Sequence, residues 1–190
     1  SLIVGLTCRM MLRGKCLVLG DATCGKTALV HSFSSDGANF SPDYNMTTST
    51  DYVVKALEMD DSEDTVELHI HASAGRPEFA SMAEKQWSEP AMLVLCFDVT
   101  NQESFANLGT WLDKYKALRP GFPVRGVLVA TKIDLEGQRV VTSDAADAFA
   151  ADNQLQYFEV SSRDSHNVSE PFRVLADNFY KHYKESCEAM

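Results

Sequence analysis

Short runs of apolar residues alternate along the chain with longer stretches in which apolar positions recur every three or four residues. The first pattern fits strands and the second fits helices packed on one face. Their alternation predicts an α/β fold, a mostly parallel sheet with helices on both faces. Strands are predicted at 16–20, 51–57, 65–71, 91–98, 124–131 and 156–160, and helices at 26–33, 104–118, 143–152 and 170–187. Met92-Leu93-Val94-Leu95-Cys96-Phe97 and Val127-Leu128-Val129-Ala130 are apolar at every position, as central strands covered on both sides must be. The second and third strands face each other across an acidic stretch at 59–64 that suits a hairpin. In the third helix, Thr142 or Ser143 would cap the start, with Ala145, Ala146, Ala148 and Phe149 packing inward. Phe172, Leu175, Ala176, Phe179 and Tyr183 form the core stripe expected of the last helix.

Chemistry enters where the first strand ends. Gly20-Asp21-Ala22-Thr23-Cys24-Gly25-Lys26-Thr27 spells Gly-x-x-x-x-Gly-Lys-Thr, and Ala28 continues into a helix. A strand, such a loop and a helix N-terminus together aim backbone N–H groups at a phosphate. Gly20 and Gly25 permit the turn, Lys26 can reach the outer phosphates, and the Thr27 hydroxyl can bind Mg²⁺. A Gly-containing βα turn without a ligand is the bland alternative, and it does not account for Lys26-Thr27.

The 190 residues carry a formal net charge of −10 and 45% hydrophobic residues, enough for one compact core. The acidic balance argues against non-specific nucleic-acid binding and against electrostatic attachment to anionic lipid. No apolar stretch reaches the length of a membrane span. Leu2-Ile3-Val4-Gly5-Leu6 is apolar, but Arg9 and Arg13 follow it, the wrong order for a secretory signal. Five cysteines are scattered without a Cys-x-x-Cys pair, which fits reduced thiols in a cytosolic protein.

The base is read elsewhere. Thr131-Lys132-Ile133-Asp134 closes the fifth strand, and an Asp there can accept hydrogen bonds from the ring N–H and exocyclic amine of guanine, a donor pair that adenine lacks on that edge. Lys132 can lay its stem along the base while its ammonium stays wet. Glu159-Val160-Ser161-Ser162-Arg163 closes the sixth strand, where a backbone N–H could meet the guanine carbonyl.

With these motifs in order, the chain over 15–183 resembles the Ras-superfamily small GTPases. Phe97-Asp98-Val99-Thr100-Asn101-Gln102-Glu103-Ser104-Phe105 and Trp111-Leu112 resemble the Rab branch. Ser35-Asp36-Gly37-Ala38-Asn39-Phe40, Thr47-Thr48, Val66-Glu67-Leu68, Ser73-Ala74-Gly75 and Pro171-Phe172 are similar to its Rab-like members in ciliary transport. The resemblance implies a six-stranded P-loop G domain over 15–190 after an N-terminal extension over 1–14. It implies GTP or GDP with Mg²⁺, Phe40 packed edge-on against the base, and Thr47 joining Thr27 on the metal when a γ-phosphate is present. It further implies a cytoplasmic and ciliary or flagellar subunit of the intraflagellar transport B complex, paired with the β-sandwich protein intraflagellar transport protein 25 and taking part in cargo export.

The family pattern breaks in several places. Its Asp-x-x-Gly-Gln appears as Ala72-Ser73-Ala74-Gly75-Arg76. Ala72 cannot hold the metal's water shell, and Arg76 cannot accept the hydrogen bond that orients an attacking water. Gly75 keeps a backbone N–H for the γ-phosphate. Ala22 crowds a position that is Gly in the Ras branch, and Arg163 replaces the usual Lys. Feeble intrinsic hydrolysis is therefore expected, with Arg76 as a built-in cationic finger the lesser alternative beside the stiff Pro77. A scaffold with a degenerate nucleotide pocket is the second reading of function, and a nucleotide kinase would leave Asp134 unexplained. His69 and His71 share one strand face, but a third zinc ligand is lacking and packed or rim histidines are expected. Cys187-Glu188-Ala189-Met190 formally matches a prenylation box, yet Glu188 and the absence of a polybasic stretch favour an unlipidated tail. Val53, Val54, Phe79 and Trp87 are candidates for an apolar partner surface.

Overall fold

A computed structural model describes residues 9–38, 50–60, 62–75 and 87–188. In chain order the elements are β1 (Met11–Leu19), α1 (Lys26–Ser34), β2 (Asp51–Glu58), β3 (Thr65–Ala72), β4 (Met92–Asp98), α2 (Gln102–Ala106), α3 (Leu108–Leu118), β5 (Gly126–Thr131), a 3₁₀ turn at Glu136–Gln138, α4 (Ser143–Asp152), β6 (Gln156–Glu159) and α5 (Glu170–Glu188). The six strands form one sheet in the order β2-β3-β1-β4-β5-β6, parallel throughout except for β2 against β3. The acidic stretch does close that antiparallel pair, with the Met59 N–H donating to the Asp64 carbonyl at 3.0 Å.

Alternation along the central strands sorts side chains into two layers. Cys16, Val18, Met92, Val94 and Cys96 pack under α1 and α5, against Leu29, Phe33, Phe172 and Leu175. Leu17, Leu19, Leu93, Leu95 and Phe97 pack under α3 and α4, against Leu108, Leu112, Ala146 and Ala150. Both faces of β4 are therefore dry, which is why its sequence has no polar position before Asp98.

Several expectations need correction. β1 begins at Met11, well ahead of residue 16, because its first half pairs with β3 alone. Arg13 there reaches Glu67 at 3.0 Å, so that half carries no apolar run. The single helix expected over 104–118 is divided at Asn107. On α4, Thr142 supplies the cap, and Ala146, Phe149 and Ala150 face inward while Ala145 and Ala148 are exposed. On α5 the fourth-turn core residue is Tyr180, and Tyr183 faces solvent. Trp87 is buried and Val53 half-buried, which leaves Val54 with its neighbour Tyr52 as exposed apolar groups on β2; Phe79 lies outside the described residues.

Tyr180 has a polar task as well. Its hydroxyl donates to Asp64 at 2.5 Å and pairs with Ser62 at 2.8 Å, joining α5 to the β2–β3 turn. The Tyr180 hydrogen bond, the Met10 N–H and nearby Lys184 hold the Asp64 carboxyl below its ordinary range. A depressed folded pKa stabilises the fold above the unfolded value near about 3.9 and loses that stabilisation as pH falls through the folded value. Denaturant titrations should therefore show wild-type stability falling below about pH 4 more steeply than that of Asp64→Asn. Parallel curves would show that this bond is not felt.

Candidate functional site

Five loops converge at the carboxyl ends of the parallel strands, where open α/β sheets hold their ligands. The first runs from Gly20 to Gly25. Gly20 adopts φ 146°, and a Cβ there would collide with the Cys96 carbonyl, so the loop can lie against β4 only without a side chain. Thr23 and Gly25 are left-handed as well, at φ 64° and 89°. Gly25 stands at the N-terminus of α1, which has no side-chain cap, so the positive end of the helix dipole faces the loop.

Lys26 is buried, 5% exposed, and its ammonium donates to the carbonyls of Gly20 at 2.9 Å and Asp21 at 2.6 Å. The loop is thus curled around its own cation. Cys24 packs beside it, and burial pushes its thiol pKa up despite Lys26, so the sulfur stays a protonated packing group. Thr27 and Ala28 are half-buried in the first turn of α1. Gly75 presses on the loop from the end of β3: its carbonyl accepts the Ala22 N–H at 3.1 Å, and a Cβ would strike the Asp21 and Ala22 backbone. Ala72 is fully buried on β3, and its methyl offers no oxygen.

The loops that close β5 and β6 are tied to the loop from Gly20 to Gly25 and to each other. The buried Thr131 hydroxyl bridges the Cys24 carbonyl at 2.6 Å and the Phe97 carbonyl at 2.9 Å. Lys132 takes φ 62° and sets its ammonium 2.5 Å from Asp98, a carboxylate also held by the Thr100 N–H and hydroxyl. Asp134 accepts the Ser161 hydroxyl at 2.8 Å, and the exposed Arg163 guanidinium stands 4.0 Å from its other oxygen. Ser161 uses its own N–H on the His166 carbonyl, and Ser162 is buried beside it. Beneath this loop Glu159 receives the forked guanidinium of Arg139 at 2.9 and 3.1 Å. Burial would raise the Glu159 pKa, but the bonds from Arg139, Tyr157 and Ser143 outweigh it and hold it low.

The structure thus brings together Gly20 to Ala28, Gly75, Thr131, Lys132, Asp134, Ser161, Ser162 and Arg163. Phe40, Thr47 and Arg76 lie outside the described residues. His69 bonds Tyr52 at 2.7 Å and Glu67 at 2.8 Å, while burial lowers the His71 pKa. No cluster of metal-binding side chains forms among the described residues. Asp98 was read only as part of the Rab-like segment; its signal was its place as the last residue of the most apolar strand. Asn107 and Trp111 were missed as well, and both bond the Asp21 carboxylate, at 2.8 and 2.7 Å.

A comparison with protein families matches the Ras family over residues 15–181. The chain belongs to the Ras family. Within it, the chain is Rab-like: intraflagellar transport protein 27 homologues of Bos taurus and Homo sapiens are each 45% identical over 177 residues, covering 93% of this chain and 95% of theirs. Intraflagellar transport protein 27 of Chlamydomonas reinhardtii is 36% identical over 182 residues, 94% of this chain and 89% of its own. Ras-related protein Rab-7L1 of Rattus norvegicus is also 36% identical, over 90% of this chain and 84% of its own. Ras-family membership accounts for the sheet order and implies a guanine nucleotide at the mouth of the five loops.

Proposed function

We propose that this Ras-family chain is a guanine-nucleotide switch subunit of the intraflagellar transport B complex, pairing with intraflagellar transport protein 25 and serving ciliary cargo export. The observation that carries the nucleotide reading is Asp134, whose carboxylate is held by Ser161 at the mouth of the loop that Thr131 ties to the phosphate loop. The names of its intraflagellar transport relatives support the assembly. The amides of Ser162 and Arg163 would meet the guanine carbonyl, Phe40 would pack against the base, and Lys26 with the first turn of α1 would hold the phosphates.

The loop fits a nucleotide: two side-chain-free approaches, an uncapped helix start and a buried ammonium define a cradle for anionic oxygens. Mg²⁺ would rest on Thr27, Thr47, phosphate oxygens and water, and would neutralise phosphate charge when bound. Calorimetric competition should show GDP and GTP binding far tighter than ATP, with Mg²⁺ adding less than in a relative that keeps Asp at position 72. Equal binding of ATP would refute the reading.

Intrinsic GTP hydrolysis is weak in this proposal, because Ala72 cannot hold the metal's water shell and Arg76 cannot accept the hydrogen bond that orients the attacking water. Single-turnover assays should find a rate at or below about 10⁻⁴ s⁻¹, the slow end for unassisted small GTPases. A markedly faster rate would instead favour Arg76 as a cationic finger. The buried methyl of Ala72 also favours a second reading, a scaffold whose pocket has decayed. Nucleotide retained by the purified protein separates the two.

A further inference from the structure

We infer that Asp21, Asn107 and Trp111 form a clamp that positions the phosphate loop and couples nucleotide binding to α3. Asp21 is the second residue of the loop, and its carbonyl already accepts the Lys26 ammonium. Its carboxylate points the other way, into two neutral donors. The Asn107 side-chain amide gives one bond at 2.8 Å, and the Trp111 indole N–H gives the other at 2.7 Å. Both donors face an acceptor-only group, so neither bond depends on a choice of proton position. Bonds to a charged acceptor are among the stronger ones in a protein.

The clamp accounts for the division between α2 and α3. Asn107 keeps helical dihedrals, φ −80° and ψ −5°, and its carbonyl accepts the Trp111 N–H at 3.2 Å. An asparagine at a helix start ordinarily turns its side chain back to cap the first turn. Here it makes no cap bond to α3 and reaches across to Asp21. The division therefore presents two donors, one from Asn107 and one from the next turn, to one carboxylate.

Trp111 extends the connection. It is 7% exposed, and its ring lies 6.5 Å from that of Trp87, which is fully buried and precedes β4. The Asp21 backbone is also the surface on which Gly75 rests. A shift of the phosphate loop on filling would thus move the acceptor of the Trp111 indole, and with it the packing between α3 and the approach to β4. The clamp acts through the loop and touches no nucleotide itself, so these are positioning residues.

This inference rests on the guanine-nucleotide reading, and one set of measurements separates the two. Release of N-methylanthraniloyl-GDP is timed in the full chain and in Asn107→Ala and Trp111→Phe, with ¹⁵N-indole spectra recorded before and after GDP addition. The chain has only two tryptophans, so Trp111→Phe assigns the resonances. Each variant should release the nucleotide about tenfold faster with unchanged preference for guanine over adenine. The Trp111 indole resonance should shift on GDP addition in the wild type. Trp111→Phe keeps an aromatic ring in place and removes the indole N–H, and so reports on the clamp even where Asn107→Ala unfolds. Release within twofold of wild type, or faster release with an unmoved indole resonance, overturns the clamp alone. Failure of the wild type to bind GDP overturns the guanine-nucleotide reading and the clamp with it.

Discussion

Replacing Asp134 with alanine should weaken GDP binding by about a thousandfold and leave ATP binding unchanged. The carboxylate would accept two hydrogen bonds from the guanine edge, each worth about 1.5–3 kcal/mol when one partner is charged. Losing both removes about 3–6 kcal/mol, or two to four decades of affinity. The fold should survive, because among the described residues the Asp134 carboxylate is held by Ser161 and the exposed Arg163. Ser161 keeps its second task, accepting the Asp164 N–H at 3.1 Å. Calorimetry with both nucleotides, beside a melting curve, checks the result. GDP affinity within tenfold of wild type would show that the base is not read at this carboxylate.

Lys26→Met should weaken nucleotide binding by at least about a hundredfold while leaving the protein itself about as stable as the wild type. With nucleotide bound, the ammonium would face phosphate oxygens deep in the loop. Removing one partner of such a buried charged pair costs about 3–5 kcal/mol, more than two decades of affinity. In this structure the ammonium donates to the Gly20 and Asp21 carbonyls and to the Cys24 sulfur, all neutral acceptors. Methionine keeps much of the buried volume and removes a desolvated charge, so gain and loss nearly cancel. Thermal melts with and without GDP supply both halves of the test. GDP-induced stabilisation as large as in the wild type would contradict the assignment of Lys26 to the phosphates.

The phosphate loop, Asp134 and the Ser161-Ser162-Arg163 loop were legible in the sequence because each depends on local chain geometry. A glycine-bounded turn between a strand and a helix can be read from a few consecutive residues, and so can an acidic residue following a buried strand. The central strands β4 and β5 were equally plain, since apolar character on both faces leaves no ambiguity. The start of β1 was hidden because Arg13 and Lys15 occupy a half-strand covered on one side, where polar residues are permitted. The inward face of α4 was misread because its alanines give little contrast, and rotation is then set by where Phe149 and Ala150 meet the sheet.

What the sequence alone determined is the order of strand, loop and helix, the location of the phosphate and base motifs, and the missing acceptors at Ala72 and Arg76. Those are properties of short segments. Only the tertiary structure decided that Asp98 holds Lys132, that Thr131 joins two loops, and that Asp21 is gripped by Asn107 and Trp111 from positions 86 and 90 residues away. Such pairings depend on which strand ends lie side by side, and that is settled by the packing of both sheet faces at once.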